Sequence, residues 1–85
     1  MEQGGEIKMT LKDWRKTYET SSVIYYEKKN KQVVIENTFQ LYQSKFQKVW
    51  RIDLLGSNHN FIKRLKITKT KSKALAYARS YMRKH

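Results

Sequence analysis

Strict alternation of apolar and polar residues in the middle of the chain constrains its fold more than any other feature. Trp50, Ile52 and Leu54 share one face, while Arg51 and Asp53 share the other. A period of two places successive side chains on opposite sides of a β-strand. We therefore expect a half-buried strand in an antiparallel sheet that is covered on one face and wet on the other.

A hairpin is expected upstream of this strand. Residues 23–26 are β-branched and aromatic, which favours a strand. Residues 33–35 resume the pattern as the second arm of the hairpin. Asn30, which lies between the two arms, tolerates the left-handed geometry that such turns need.

Another strand is expected downstream, after a Gly-Ser-Asn-His-Asn segment that predicts a turn. We expect Phe61, Leu65 and Ile67 to face the core. Arg64 and Lys66 are expected on the opposite, outer face.

Residues 37–48 admit two interpretations. With a period of two, four apolar residues line one face of a long strand that turns near Ser44: Val33, Ile35, Phe39 and Leu41. With a period of 3.6, five residues form a helical stripe instead: Phe39, Tyr42, Phe46, Val49 and Trp50. The strand is favoured because the alternation already runs through the residues before it. If residues 37–48 formed a helix, the chain would contain two successive ββα units.

A helix is predicted at each end of the chain. At the C-terminal end, apolar residues recur at helical spacing from about residue 71 to residue 83, and Thr70 or Ser72 can cap the start. Near the N-terminus, Leu11, Trp14 and Tyr18 recur at i, i+3 and i+7 behind a near capping box. This spacing predicts a short helix over residues 11–18.

These elements together predict one α+β domain. It has a three- to four-stranded antiparallel sheet with an N-terminal and a C-terminal helix packed on one face. The domain spans residues 10–85 and follows a flexible tail over residues 1–9. Eighty-five residues are enough for one domain and not for two.

The charge balance favours a polyanionic partner. Nineteen Lys+Arg and seven Asp+Glu give a net charge of +12, and residues 54–85 contain nine basic residues and no acidic one. Such a field attracts nucleic acid and raises the rate of encounter with it.

Composition argues against several other classes of protein. The chain has no cysteine, and only His59 and His85 offer imidazole, whereas a structural zinc site usually needs four such ligands. Neither a metal nor another cofactor is expected. No apolar run approaches the roughly 18 residues of a membrane span, and the acidic, Gly-containing start is unlike a secretory signal. We expect a soluble, cytoplasmic protein that has no membrane partner.

The segment before and within the start of the C-terminal helix is the strongest candidate site. Lys69, Lys71 and Lys73 crowd the positive end of the helix dipole, where cations are disfavoured. A phosphate would make this arrangement useful, because backbone N–H groups, the dipole and the lysines converge on it. These three lysines are the predicted anchor. Four further basic residues are predicted to help: Arg51, Arg64, Lys66 and Arg79.

Aromatic rings are candidates for stacking on unpaired bases. Only one of the adjacent Tyr25 and Tyr26 can point to the core, so the other lies outside. We take both, together with Tyr42, as stacking candidates. The tryptophans, Phe39 and Phe61 are expected to serve the core.

The helix entry carries a family resemblance. A helix, an antiparallel sheet and a final helix that opens with Lys71, Lys73 and Ala74 resemble a double-stranded-RNA-binding domain. In that family, lysines at this position grip phosphates across a groove. The segment 70–74 is also similar to the arm-binding domains of tyrosine recombinases, whose sheet enters the DNA major groove. Both resemblances imply a nucleic-acid partner.

Two other functions are weighed against nucleic-acid binding. The Gly-Ser-Asn-His segment somewhat resembles the Gly-Ser-His-His motif of HicA-type toxin ribonucleases, which implies His59 as a general acid or base, with Lys63 or Arg64 steadying the phosphate. No other catalytic arrangement is found, and an enzyme is not expected. A basic regulator or inhibitor that docks onto an acidic protein surface is the other alternative.

The main prediction is thus a small basic nucleic-acid-binding protein, of a kind suited to a virus or mobile element. DNA or RNA, single- or double-stranded target, and a possible homodimer through a free sheet edge all stay open.

Overall fold

The computed structural model describes residues 13–85, which form an antiparallel sheet followed by one helix. The elements are β1 (Arg15–Glu19), β2 (Val23–Lys28), β3 (Lys31–Tyr42), β4 (Lys45–Leu55), a short 3₁₀ turn (Ser57–His59), β5 (Phe61–Thr68) and α1 (Lys71–Lys84). The five strands lie in the sheet in chain order. The predicted α+β class is therefore confirmed, as are the antiparallel sheet and the C-terminal helix.

The core lies between the sheet and α1. The three central strands contribute six buried side chains to this core: Ile24, Tyr26, Val33, Ile35, Ile52 and Leu54. They meet the buried residues of the helix, which are Ala74, Ala78 and Met82, and Trp14 joins the same cluster. The small alanine side chains let the helix lie close to the sheet. Burial of a side chain such as Ile35 or Ile52 stabilises the fold by about 1.5–3 kcal/mol.

The hairpin of β3 and β4 extends well beyond the rest of the sheet. β2 pairs with β3 only as far as Glu36, and β5 pairs with β4 only as far as Trp50. Residues 38–49 thus form a two-stranded arm, which we call the ribbon. Its turn is made by Gln43 and Ser44, both with positive φ. The favoured strand interpretation of residues 37–48 is confirmed.

The predicted N-terminal helix is wrong for the residues that the structure describes. Arg15–Glu19 form β1, in which Tyr18 pairs with Tyr25 of the neighbouring strand. A helix of eight residues is marginal in water without tertiary support, and pairing with β2 satisfies the same backbone groups. Residues 11 and 12 of the predicted helix lie outside the described part of the chain. The same holds for the predicted tail over residues 1–9.

The predicted strand count is also wrong, and the predicted facing of β5 is right only in part. β1 adds a fifth strand, and the register between β4 and β5 shifts at two places. Each irregularity changes which residues share a face. Leu65 packs against the core as predicted. By contrast, Ile67 pairs with Arg51 on the other side of the sheet, Phe61 is exposed, and Lys66 pairs with Ile52 on the side of the helix.

Candidate nucleic-acid interface

The sheet face opposite α1, which we call the open face, carries basic side chains that are paired with carboxylates. Arg51 donates a hydrogen bond to Glu36 at 2.8 Å, and Arg64 donates one to Asp53 at 2.8 Å. Arg51 Nε also lies 3.3 Å from Asp53 Oδ2 as an ion pair without hydrogen-bond geometry. The positive charge of these two predicted helpers is thus largely balanced.

A cleft lies where the end of β5, the start of α1 and the tip of the ribbon meet. Its volume is about 350 Å³. Three lysines line it, namely Lys66 of β5, Lys69 of the connecting loop and Lys73 of α1. Four other residues complete the lining: Tyr42, Gln43, Ile67 and Thr68. We call this surface the lysine cleft.

Hydrogen bonds of two threonines fix the turn that leads into α1 beside the cleft. Thr70 is the N-cap of α1, and its hydroxyl accepts a hydrogen bond from the Lys73 backbone N–H at 3.3 Å. Thr68, which lines the cleft, donates its own hydroxyl to the Thr70 carbonyl at 2.8 Å. These bonds fix the turn between β5 and α1, so that lysines from both elements face one space.

No carboxylate balances the lysine cleft within residues 13–85. The ion pairs of this part of the chain involve Lys16, Arg51 and Arg64 as the basic partners. The first turn of α1 contains no acidic residue. Several lysines around one space without a carboxylate create a positive potential there, and the cleft is therefore suited to an anion.

The predicted anchor is divided between two sides of the helix. Successive residues of an α-helix are rotated by about 100°, so Lys71 and Lys73 point in nearly opposite directions. Lys71 extends towards the ribbon, with Nζ 5.7 Å from the centre of the Trp50 ring. Arg79 lies on the Lys71 side, exposed and near Lys16 of β1. Only Lys69 and Lys73 of the anchor share the cleft, and Lys66 joins them.

The three tyrosine candidates have different environments. Tyr26 is 6% exposed in the core and offers no face for stacking, so we leave it out of the interface. Tyr25 is on the open face, beside Tyr18 and His59, with ring centres 5.6 and 6.2 Å away. Tyr42 lines the lysine cleft.

His59 lies at the other end of the sheet, in the 3₁₀ turn between β4 and β5. It is exposed and lines a cleft of about 310 Å³ with Glu27, Lys29 and Gln32 among its neighbours. Arg64, one of the two residues expected to bind the phosphate beside His59, donates a hydrogen bond to Asp53.

Shifted pKa values occur away from the lysine cleft. The hydrogen bond between Lys16 and Glu19 raises the pKa of the lysine and lowers the pKa of the carboxyl group. Burial, with a smaller contribution from Tyr77, raises the pKa of Tyr81.

Sequence reasoning missed the ribbon as a surface. Phe39, Leu41 and Phe46 are 60, 67 and 70% exposed, so the prediction that Phe39 lies in the core is wrong. The available signal was the composition of residues 37–52, which include basic and aromatic residues but no acidic one. What the alternation did not reveal is that neither neighbouring strand reaches this part of the hairpin.

Among residues 13–85, no group of three or more His, Cys, Asp and Glu side chains could hold a metal ion. Helix α1 is not long and apolar enough to cross a membrane. Comparisons with models of known protein families, with curated proteins and with solved structures found no match for this chain.

Proposed function

We propose that this protein binds nucleic acid, and that the lysine cleft is its principal phosphate site. The observation that carries the proposal is the convergence of Lys66, Lys69 and Lys73 on one cleft that has no carboxylate among the described residues. Lysine is a strong phosphate ligand in proteins. A bound phosphate would supply the negative charge that the described carboxylates do not provide at this cleft.

The surroundings of the cleft support a polyanion over a small anion. The whole chain carries a net charge of +12, and the cleft is bordered by the tip of the ribbon, which adds Lys45 and Lys48 without any acid. Lys71 and Arg79 extend the basic surface along the other side of α1. A polymer of phosphates can engage several of these groups at once, and binding then releases counterions.

We expect modest sequence specificity from this site. Phosphate contacts fix the position of a protein on nucleic acid but do not distinguish bases. Arg51 and Arg64, whose planar guanidinium groups could read guanine, are engaged by Glu36 and Asp53. The proposal therefore assigns these arginines to the stability of the sheet.

Fluorescence anisotropy with labelled duplex DNA, duplex RNA and single strands, each at two salt concentrations, tests the proposal. The double variant Lys69→Glu, Lys73→Glu should lose about tenfold or more in affinity and show a shallower salt dependence. Both side chains are exposed, so the fold should be kept.

A charge-matched control is available at the far end of the sheet. Lys29→Glu with Lys31→Glu removes the same charge from exposed positions in and beside the β2–β3 turn. If the cleft is the site, this control should bind nearly as well as the parent protein. Equal losses in the two double variants, or weak binding to every polymer that vanishes at moderate salt, would mean that the charge is generic. A protein partner would then be sought.

A further inference from the structure

The ribbon carries an apolar face that no other part of the described chain covers. Phe39, Leu41 and Phe46 lie on this face in the register of β3 and β4, together with Lys48. The rings of Phe39 and Phe46 are nearly parallel, with an interplanar angle of 12° and 5.9 Å between their centres. Each side chain is more than half exposed. A soluble monomer rarely exposes a contiguous apolar patch unless a partner uses it.

The same face alternates rings and ammonium groups along one strand. On β4, Phe46, Lys48 and Trp50 follow one another at every second residue, so they span about 13 Å at 3.3–3.4 Å per residue. Lys71 of α1 lies over the Trp50 ring at the base of this row. Charged groups and flat apolar rings therefore alternate along one face of β4.

We infer that the ribbon face stacks on unpaired bases, so that the preferred target is single-stranded nucleic acid. This inference rests on the proposed function, because the phosphates of the same strand would be held by the lysine cleft and by Lys48. Aromatic rings next to cationic groups fit a strand of bases and phosphates, and stacking of this kind tolerates any base sequence.

Charge complementarity favours this occupant over the alternatives. The ribbon contains Lys45 and Lys48 and no acidic residue. In a symmetric dimer formed through this face, the same patch would meet itself, so the interface would contain Lys48 of both copies and no carboxylate of the ribbon. An anionic lipid surface would satisfy the charge, but the tip residues Gln43 and Ser44 are polar and would meet the bilayer first.

Base pairing explains why the target should be single-stranded. In a duplex, each base is stacked between its neighbours and its flat faces are hidden. An unpaired strand can offer those faces to a protein ring. Phosphate contacts alone favour a duplex, whose charge density is higher, so any preference for single strands is expected to come from the ribbon.

The experiment compares a short unstructured single strand with the duplex made from it, for the parent protein and three variants. Phe39→Ser and Phe46→Ser should each weaken single-strand binding by at least about fivefold, and should leave duplex binding almost unchanged. Phe61→Ser is the matched control, since Phe61 is 58% exposed on β5 and not on the ribbon. It should bind like the parent protein.

The outcomes separate this inference from the proposed function. Loss of binding in Lys69→Glu, Lys73→Glu with no effect of either ribbon variant would overturn stacking and keep the phosphate site. Equal affinity for single strand and duplex in the parent protein would also overturn it. Sedimentation that shows a dimer lost in Phe46→Ser would assign the face to a second copy. Binding to phosphatidylserine vesicles that depends on Phe46, with unchanged single-strand affinity, would assign it to lipid.

Discussion

The ammonium group of Lys71 lies 5.7 Å from the centre of the Trp50 ring and connects the first residue of α1 to the base of the ribbon. A cation–π contact at an exposed site contributes about 0.5–1 kcal/mol. The same charge at a helix N-terminus costs about 0.3–1 kcal/mol. The two effects oppose each other and are similar in size.

The first prediction follows from this balance. Lys71→Met keeps the aliphatic stem and removes the charge, so the free energy of unfolding should change by less than about 0.5 kcal/mol. Nucleic-acid affinity should still fall, because a cation beside the ribbon is lost. Urea unfolding and anisotropy on the same sample check both. A large loss of stability would show that the contact with Trp50 outweighs the helix dipole.

The second prediction concerns Lys73, which stands three residues after the N-cap Thr70. Lys73→Glu completes a capping box, because a carboxylate there can accept the Thr70 backbone N–H and also suits the helix dipole. The variant should be more stable by roughly 0.5–1 kcal/mol and should bind nucleic acid more weakly. Thermal unfolding and anisotropy measure the two opposite changes.

Opposite signs make this variant informative. A misfolded variant would lose both stability and affinity. Replacing a residue that serves binding at a cost in stability lowers the affinity alone. Unchanged affinity in Lys73→Glu would remove this lysine from the interface. Thr70→Ala is the reciprocal control, and it should cost about 0.5–2 kcal/mol.

Periodicity predicted most of the strands and the C-terminal helix, for reasons visible in particular residues. Trp50, Ile52 and Leu54 alternate because their strand has one buried face, and Ala78 and Met82 recur because α1 buries one stripe. β1 was missed, because Trp14 and Tyr18 have helical spacing although one is buried in the core and the other lies beside Tyr25. Pairing with β2, and not the local spacing of apolar residues, determined the structure of that segment.

Charge predicted the lysine cleft only in part. Composition located the lysines around the start of α1, but helix rotation separates Lys71 from Lys73, and a bulge in β5 turns Lys66 towards Tyr77 of the helix. The sequence also did not show that Arg51 and Arg64 form ion pairs with carboxylates that are distant in sequence. Local patterns carry no information about such partners.

The third prediction is a dependence of stability on alkaline pH. Burial raises the pKa of Tyr81 above its ordinary value of 10.0. The neutral phenol is thus favoured in the folded state, so its contribution to stability is complete below pH 10.0 and is lost as the pH rises through the folded pKa. Tyr81→Phe should therefore lose less stability than the parent protein at alkaline pH.

Urea unfolding over a series of alkaline pH values measures this difference. Lysines titrate in the same range, but they are common to both proteins and cancel in the comparison. Tyr18→Phe is the matched control, because it keeps Tyr81 and changes an exposed ring. It should follow the parent protein, and identical curves for Tyr81→Phe would contradict the prediction.

The fourth prediction separates the open face from the interface. Asp53 is 8% exposed and holds Arg64 at 2.8 Å and Arg51 at 3.3 Å. Asp53→Ala removes the acceptor of a charged hydrogen bond and should cost about 1–3 kcal/mol of stability. Arg51 keeps Glu36 and Arg64 can reach water, so the loss should stay within that range. Guanidinium unfolding measures it.

Affinity is the second readout for this variant. Asp53→Ala releases Arg64 and leaves Arg51 paired with Glu36 alone, both on the open face and away from the lysine cleft. Its affinity should therefore change only as much as that of the charge-matched control Glu27→Ala. A much larger gain in affinity than the control shows would mean that Arg64, or Arg64 and Arg51 together, contacts nucleic acid. The open face would then be part of the interface, and Asp53 would block its arginines in the parent protein. The assignment of these arginines to stability alone would be wrong.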